Sequence, residues 1–292
     1  MTKLTISDNE LMQAFTGLGA EVDYAQRIVE FRAQIEAMGI NTPNRWACFI
    51  GQCAHESAGF TVFEENLYYS YTALMKVWPS RFPNAASAKP YHRKPEAIAN
   101  KVYGGRMGND TKGDGYLYRG RGPIQLTGKD NYIKAGTAIR LNLVEQPSLV
   151  SEDPVYGIMV AAWFFSTNKK DGKSILEWAD NLSHKMVTRI INGGYHGLND
   201  RIVKSNFALS VFGIDEGRFK RPLIRLGDRS DAVLEVQRYL KALGYLHSAD
   251  KVYGPRTQQA IIQFQKDHGL VADGIVGGTT YLTLTTHVLQ NK

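Results

Sequence analysis

Residues 42–60 read TPNRWACFIGQCAHESAGF, and this stretch predicts a buried helix that ends near a glutamate. Thr42 followed by Pro43 is typical of a helix N-terminus, because threonine caps the first turn and proline tolerates the first helical position. The apolar side chains that follow recur at helical spacing, and they are Trp46, Phe49, Ile50 and Cys53. We therefore expect this helix to contribute to the core of a folded domain.

The sequence around this stretch also predicts helices. Ser7 and Glu10 have the spacing of a capping box that opens a helix. The apolar residues between Tyr24 and Met38 recur as they do in one amphipathic helix. Further helical patterns lie at 72–78, 95–103, 131–141, 154–165, 175–181 and 185–192. Alternation typical of strands occurs only in short pieces, so we expect a mainly α protein with little sheet.

The chain is predicted to form two domains, because its 292 residues are 43% hydrophobic and exceed the usual length of one domain. Residues 213–222 lack hydrophobic periodicity and end at a proline. We expect them to link a first domain, residues 1–212, to a second, residues 223–292. The second domain has the size of a small helical module.

Two glycine and threonine phrases stand out in the second domain. They are YGPRT at residues 253–257 and VGGTT at residues 276–280. In each phrase a turn glycine precedes a hydroxyl residue, so the hydroxyl is expected to cap the helix that follows.

Charge and apolar patterning restrict the partners. The formal net charge of +7 favours polyanions, but lysine and arginine are spread along the chain, so nucleic acid is not an expected partner. No stretch has the roughly 18 unbroken apolar residues of a membrane span, and stable membrane insertion is not expected.

The start, MTKLTISDNELMQAF, lacks the apolar block of a signal peptide. Cys48 and Cys53 are expected to be buried thiols.

Glu56 is the strongest candidate for chemistry. It falls on the apolar face of its predicted helix, where burial would raise the pKa of its carboxyl group and suit it to general acid catalysis. The alternative is a helix-end glutamate that pairs with a buried arginine or a cap. Glu64 and Glu65 follow in the sequence, and a loop could bring one of them across a cleft from Glu56. Two facing carboxylates are the minimal equipment for glycoside hydrolysis, although most such glutamate pairs are solvated surface.

Neither a metal nor a cofactor is expected. His55 and Glu56 begin like the zinc motif H-E-x-x-H, but Gly59 replaces the second histidine. The segment that starts at Asp110 begins like a calcium loop, but Lys112 and Arg121 occupy ligand positions. The glycine-rich segment 103–122 lacks the phosphate-binding motif, and it is predicted to form a loop that approaches a ligand or, alternatively, a plain surface loop.

A resemblance to a known family rests on four phrases. These are AHESAGF at 54–60, FEENLYYS at 63–70, GRGPIQLTG at 120–128, and IINGG at 190–194 with Asp200 and Arg201. Together they resemble the signature of glycoside hydrolase family 19, which contains plant-type chitinases and phage endolysins. Residues 223–292 are similar to the three-helix peptidoglycan-binding domain. The resemblance implies a lysozyme-like helical catalytic domain with little sheet, plus a small three-helix peptidoglycan-binding domain.

The same resemblance implies the roles of individual residues. Glu56 would be the general acid, Glu65 rather than Glu64 the general base, and Thr127 would help to hold the attacking water. The residues implied to bind the sugar or to line its groove are His55, Tyr118, Gln125, Asn131, Asn192 and Arg201. Because the family inverts configuration, its two carboxyl groups are expected to stand roughly 6.5–9.5 Å apart.

The expected function is that of a muramidase-type phage endolysin that cleaves the β-1,4 bonds of bacterial peptidoglycan. A chitinase, a wall-binding structural protein and a zinc amidase are the alternatives. We expect a monomer that accumulates in the host cytoplasm before lysis and then acts at the periplasm and cell wall. Access to the wall is expected to need a separate holin-type protein.

Overall fold

A computed structural model describes residues 5–214, 224–270 and 272–290. Within these ranges the chain is mostly helical, as predicted, and the strands form one antiparallel hairpin of β1 (Lys169–Lys170) and β2 (Lys173–Ser174), with Lys169 opposite Ser174. None of the helices described is long and apolar enough to span a membrane.

The helices up to residue 214 are α1 (Asp8–Thr16), α2 (Val22–Glu30), α3 (Arg32–Ala37), α4 (Pro43–Glu56), α5 (Tyr71–Val77), α6 (Ala85–Ala88), a 3-10 helix (Lys89–Tyr91), α7 (Pro95–Tyr103), α8 (Asp114–Leu117), α9 (Lys129–Ile139), α10 (Leu149–Glu152), α11 (Pro154–Thr167), α12 (Ile175–Asp180), α13 (His184–Asn192) and α14 (Leu198–Val211). Those that follow are α15 (Asp231–Ala242), α16 (Pro255–Asp267) and α17 (Gly278–Gln290).

Helix α4 lies at the centre of the largest core. The Thr42 side chain accepts a hydrogen bond from Arg45 N, which confirms the predicted cap. Residues 46–54 are buried, including both free cysteines. Helix α14 packs along α4 so closely that a side chain at Gly51 would collide with Ser205. The end of α4 is therefore fixed against the start of α14.

A second, smaller core lies under α5 to α8. Its buried residues are Leu67, Leu74, Phe82, Ala88, Ile98, Ala99 and Val102. The segment 61–66 joins the end of α4 to this core, so Glu64 and Glu65 lie between the two cores along the chain. Helix α8 interrupts the glycine-rich segment that was predicted to be a loop throughout.

The C-terminal helices α15, α16 and α17 form a module with its own core, as predicted. The two predicted threonine caps are wrong. Thr257 and Thr280 lie in the first turns of α16 and α17, where their hydroxyls contact Nε2 of Gln237 and Gln265 at 3.0 and 3.1 Å. Each hydroxyl thus joins one helix to the preceding one.

Two other expectations differ from the structure. The predicted helix between Tyr24 and Met38 is broken at Phe31, whose backbone leaves the helical conformation between α2 and α3. Helix α14 was not predicted, because its buried face includes Arg201, Lys204 and Asn206 and so lacks an apolar stripe. Residues 215–222 of the predicted linker lie outside the described residues.

Candidate active site

Glu56 is the last residue of α4, and Arg201 in the first turn of α14 holds it. Arg201 Nη2 donates a hydrogen bond to Glu56 Oε1 at 2.5 Å. Arg201 is 1% exposed, whereas the Glu56 side chain is 19% exposed. The prediction of apolar surroundings for Glu56 is thus only partly correct, because the positively charged Arg201 guanidinium faces its carboxylate. The alternative prediction, that Glu56 pairs with a buried arginine, is confirmed by this contact.

Gln52 fixes the other branch of the guanidinium. Its Oε1 accepts a hydrogen bond from Arg201 Nη1 at 2.5 Å, and its Nε2 donates to Thr188 Oγ1 at 3.3 Å. The third donor, Arg201 Nε, bonds to the carbonyl of His196 at 3.2 Å. With every branch of its planar group engaged, Arg201 can present Nη2 to Glu56 in one orientation.

His55 makes a second link between the same two helices. Its Nδ1 donates to Asp200 Oδ2 at 2.6 Å, and Lys204 Nζ donates to the same oxygen at 2.6 Å. Burial acts to raise the pKa of Asp200, but the His55 hydrogen bond and the Lys204 charge outweigh it, so this pKa lies below its usual value. A side chain at Gly197 would collide with the His55 ring, so this glycine permits the close approach.

Glu65 is held by other elements than those that hold Glu56. Tyr103 at the end of α7 donates its hydroxyl to Glu65 Oε1 at 2.5 Å, and Gly120 N donates to Oε2 at 3.3 Å. Glu65 N also donates to the Gly120 carbonyl at 2.9 Å. Burial and the Glu65 charge raise the pKa of Tyr103 far above its usual value, so its hydroxyl remains a donor.

The neighbouring Glu64 has a different environment. Its carboxylate bonds to Arg119 at 2.7 Å, to Arg121 at 3.0 Å and to the Ser151 hydroxyl at 3.0 Å. Burial acts to raise the pKa of Glu64, but these three donors lower it overall. Glu64 therefore fastens its segment to the glycine-rich turn, while Glu65 has no cationic partner within salt-bridge distance among the described residues.

The turn 120–128 brings Gln125 toward Glu65 and carries Thr127. Arg121 and Leu126 pair across it, and Gln125 adopts a left-handed backbone with φ of 55°. Thr127 Oγ1 donates to the Gln125 carbonyl at 2.9 Å, and Asn131 Nδ2 donates to the Thr127 carbonyl at 2.8 Å. A side chain at Gly120 would collide with Gln125 Oε1 and crowd Glu65. The turn therefore places the Gln125 amide near the Glu65 carboxylate.

Comparison with known proteins gives two family matches. The profile of chitinase class I, glycoside hydrolase family 19, matches residues 10–201, which is most of the chain. The chain belongs to glycoside hydrolase family 19. A second profile, described as a putative peptidoglycan binding domain, matches residues 229–284.

Among the family 19 relatives is a glycosyl hydrolase family 19 domain-containing protein of Haemophilus influenzae, 40% identical over 171 residues that cover 58% of this chain and 80% of the relative. Acidic endochitinase Q of Nicotiana tabacum is 40% identical over 102 residues, which cover 29% of this chain and 40% of that enzyme. The chain thus spans less than half of the tobacco enzyme. Chitinase C of Streptomyces griseus aligns in structure over 73% of this chain and 95% of its own, with 18% identity and a TM-score of 0.47.

Family 19 enzymes are glycosidases, and glycoside hydrolysis generally uses a pair of carboxyl groups. Glu56 is anchored by α14, whereas Glu65 is anchored by α7 and the turn at Gly120. The two carboxylates are therefore held by separate elements of the fold. Within the described ranges, the ionisable side chains form no group of three or more that could hold a metal ion.

Two residues predicted to bind sugar are buried in this family 19 domain. Tyr118 is 2% exposed, packs against the Tyr132 ring and donates its hydroxyl to the Val144 carbonyl at 3.1 Å. The Tyr118 side chain thus belongs to the core, and its predicted role in substrate binding stays a prediction. Arg201 is also buried, and it acts on Glu56 rather than on a groove surface.

Asn192 ends α13 and is half-buried. Its side chain bonds to the His196 carbonyl at 3.2 Å and to Gly194 N at 2.9 Å, so it shapes the turn that leads to α14. Sequence reasoning missed Gln52 and Tyr103, the partners of Arg201 and Glu65. Gln52 could have been noticed, because it is a polar residue one helical turn before Glu56 on an otherwise apolar helix.

Proposed function

We propose that this family 19 glycosidase is a muramidase-type phage endolysin that hydrolyses the β-1,4 bonds of peptidoglycan. The observation that carries the proposal is the presence of a family 19 domain and a peptidoglycan-binding domain in one chain. A wall-binding module raises the local concentration of the catalytic domain at the wall polymer. This arrangement favours peptidoglycan over a soluble glycan as the substrate.

Glu56 is the proposed general acid. Its Oε1 is occupied by Arg201, whereas Oε2 is free of hydrogen bonds with the described residues. Oε2 is therefore the oxygen that carries the proton to the glycosidic oxygen as the bond from that oxygen to the anomeric carbon breaks.

Glu65 is the proposed general base. It removes a proton from the water that attacks the anomeric carbon on the opposite face of the sugar, so the configuration inverts. The hydrogen bond at Oε1 is short, at 2.5 Å, whereas the bond from Gly120 N to Oε2 is long, at 3.3 Å. Oε2 is thus the better placed of the two oxygens to accept the proton.

Thr127 and the neighbouring amides are proposed to organise the substrate. The Thr127 hydroxyl donates to the Gln125 carbonyl, so its oxygen remains an acceptor for the second proton of the attacking water. Gln125 and Asn131 are proposed to bind the sugar beside this water. His55 is proposed to bind the substrate beside Glu56. Asn192 is proposed to support the groove by shaping the turn that leads to α14.

A chitinase is the second candidate, because relatives in tobacco and pea are named endochitinases. Both polymers are β-1,4-linked N-acetylated glycans, so the catalytic residues fit either. Rates on purified sacculi and on glycol chitin, measured in parallel for the wild type and Glu56→Gln, separate the two. The muramidase proposal requires a higher kcat/KM on sacculi, and hydrolysis of chitin alone would overturn it.

The cellular role is part of the same proposal. The protein is proposed to be a monomer that waits in the host cytoplasm until a holin-type protein opens the membrane, and then degrades the wall. Lysis of an expressing culture is expected only after chloroform or a holin permeabilises the membrane. Lysis at the same rate without either treatment would contradict this route.

A further inference from the structure

An exposed cluster of tyrosines and cations begins three residues after Glu65. We call it the tyrosine–cation surface, and it consists of Tyr68, Tyr71, Lys89, His92 and Arg93. Tyr68 is 60% exposed, which is unusual for a side chain with so much apolar area. An exposed aromatic ring of this kind is suited to contact a ligand, because a ligand that covers the ring removes its apolar surface from water.

Cations of this surface lie over the tyrosine rings. The Arg93 guanidinium carbon is 5.6 Å from the Tyr68 ring centroid, and Lys89 Nζ is 5.9 Å from that of Tyr71. His92 Nδ1 accepts a hydrogen bond from Tyr71 N at 3.2 Å. The Arg93 and Lys89 contacts hold positive charge beside aromatic faces.

The cations of this surface lack acidic partners. Among the described residues, no carboxylate lies within salt-bridge distance of Lys89 or Arg93. By contrast, the arginines of the adjoining turn, Arg119 and Arg121, both form ion pairs with Glu64. The tyrosine–cation surface therefore presents uncompensated positive charge to solvent, which attracts an anionic ligand.

The backbone ties this surface to the catalytic segment. Arg93 N donates to the Tyr69 carbonyl at 2.8 Å. Burial and the charge of Glu65 raise the pKa of Tyr69, so the Tyr69 ring lies within electrostatic reach of the proposed base. Arg93 also has a left-handed backbone, with φ of 54°, which non-glycine residues adopt at a cost of about 1 kcal/mol or more.

We propose that Arg93 and Tyr68 form a subsite that recognises the peptide-bearing sugar of peptidoglycan, with Arg93 binding a carboxylate of the stem peptide and Tyr68 stacking against the sugar ring. This inference rests on the proposed function. The lactyl carboxyl group of muramic acid is joined to the stem peptide as an amide, so the free carboxylates of the intact polymer lie on the peptide. Chitin carries no stem peptide, so the subsite discriminates between the two polymers by charge.

The test compares Arg93→Gln and Tyr68→Ala with the matched control Arg140→Gln. Arg140 is likewise an exposed arginine with a left-handed backbone, with φ of 58°, and it lies at the end of α9. The full-length chain is assayed on soluble peptidoglycan strands with stem peptides, on the same strands after amidase treatment, and on chitohexaose. Arg93→Gln is expected to raise KM on the intact strands about tenfold with little change in kcat, because the contact is made away from the reacting atoms.

Several outcomes support the subsite. The KM effect of Arg93→Gln is expected to disappear on amidase-treated strands, because these have lost the carboxylates of the stem peptide, and an equal effect on the treated strands would contradict the stem peptide as the ligand. Tyr68→Ala is expected to raise KM on the intact strands as well. In both cases Arg140→Gln behaves as the wild type, and chitohexaose hydrolysis by Arg93→Gln is unchanged.

Two outcomes overturn the subsite. If Arg93→Gln equals the wild type on the intact strands, or loses as much on chitohexaose, the subsite is wrong while the proposed muramidase function stands. If the wild type cleaves chitohexaose but none of the peptidoglycan strands, the proposed function fails and the subsite fails with it.

Discussion

Arg201 lies fully inside the protein, and it donates to Glu56 at 2.5 Å. The residue before it, Asp200, pairs with the residue before Glu56, His55, at 2.6 Å. Two consecutive residues of α14 thus hold two consecutive residues at the end of α4. Because both partners stand on packed helices rather than on loops, the position of the proposed acid is set by the core of the domain.

Removal of the Arg201 side chain is expected to damage both stability and activity. Arg201→Ala leaves Gln52 and Glu56 without their shared donor in a buried place, which costs about 3–5 kcal/mol of unfolding free energy. Arg201→Lys keeps the charge but loses the planar fork, so it should fold and show about a hundredfold lower kcat. Urea unfolding and initial rates on sacculi measure both effects. Wild-type kcat in Arg201→Lys would show that Arg201 does not position Glu56.

Glu64 and Glu65 are expected to respond differently to the same substitution. Glu65→Gln removes the proposed base and should lower kcat by about 10²–10⁴-fold with the fold retained. Glu64→Gln weakens the ion pairs with Arg119 and Arg121, so it should lower the unfolding temperature while most activity remains at low temperature. Circular dichroism melting and rates at a temperature below both transitions separate the two roles. The reverse pattern would assign the base to Glu64.

Tyr103 is expected to support Glu65 without taking part in proton transfer. Its hydroxyl stays protonated over the usual assay range, because burial and the Glu65 charge raise its pKa. Tyr103→Phe removes one donor from the Glu65 carboxylate, so kcat should fall about tenfold while KM changes little. Initial rates over a range of substrate concentrations measure both constants, and an unchanged kcat would mean that Tyr103 only packs against the second core.

His184 is expected to make the first domain less stable in acid. Burial lowers the pKa of His184 from its usual 6.5 to about 4. The unfolded chain therefore binds a proton at a higher pH than the folded chain, so stability falls as the pH drops from 6.5 toward 4. His184→Gln should flatten this part of the stability curve, whereas His196→Gln, at an exposed histidine, should not. Urea titrations at a series of pH values provide the test, and identical slopes for the wild type and His184→Gln would refute it.

The sequence predicts the parts of the fold that obey simple periodicity. The cap at Thr42, the apolar face of α4 and helix α7 at 95–103 all follow from local spacing. Helix α14 escaped prediction because the residues it buries are largely polar, and they are stable there only through partners far away in the sequence. No local sequence pattern predicts that Arg201 contacts Gln52, which lies 149 positions away in the sequence.

In the candidate site, too, features set by local spacing were predictable, and features set by distant partners were not. The position of Glu56 on an apolar face was predictable, but its guanidinium partner was not, because the partner comes from another helix. Tyr118 was assigned to the groove through its place in a motif, yet its ring packs in the core. Burial of a motif residue depends on the whole fold, so motif membership alone cannot separate a sugar contact from a structural contact.

Identification of the products released from purified sacculi tests the central claim most directly. The wild type and Glu64→Gln should release muropeptides with reducing N-acetylmuramic acid ends, detected by mass spectrometry after borohydride reduction. Glu56→Gln and Glu65→Gln should release almost none while they still bind the sacculi. Products cut at a peptide bond, or reducing ends released at the wild-type rate by Glu56→Gln, would contradict the two-carboxylate muramidase.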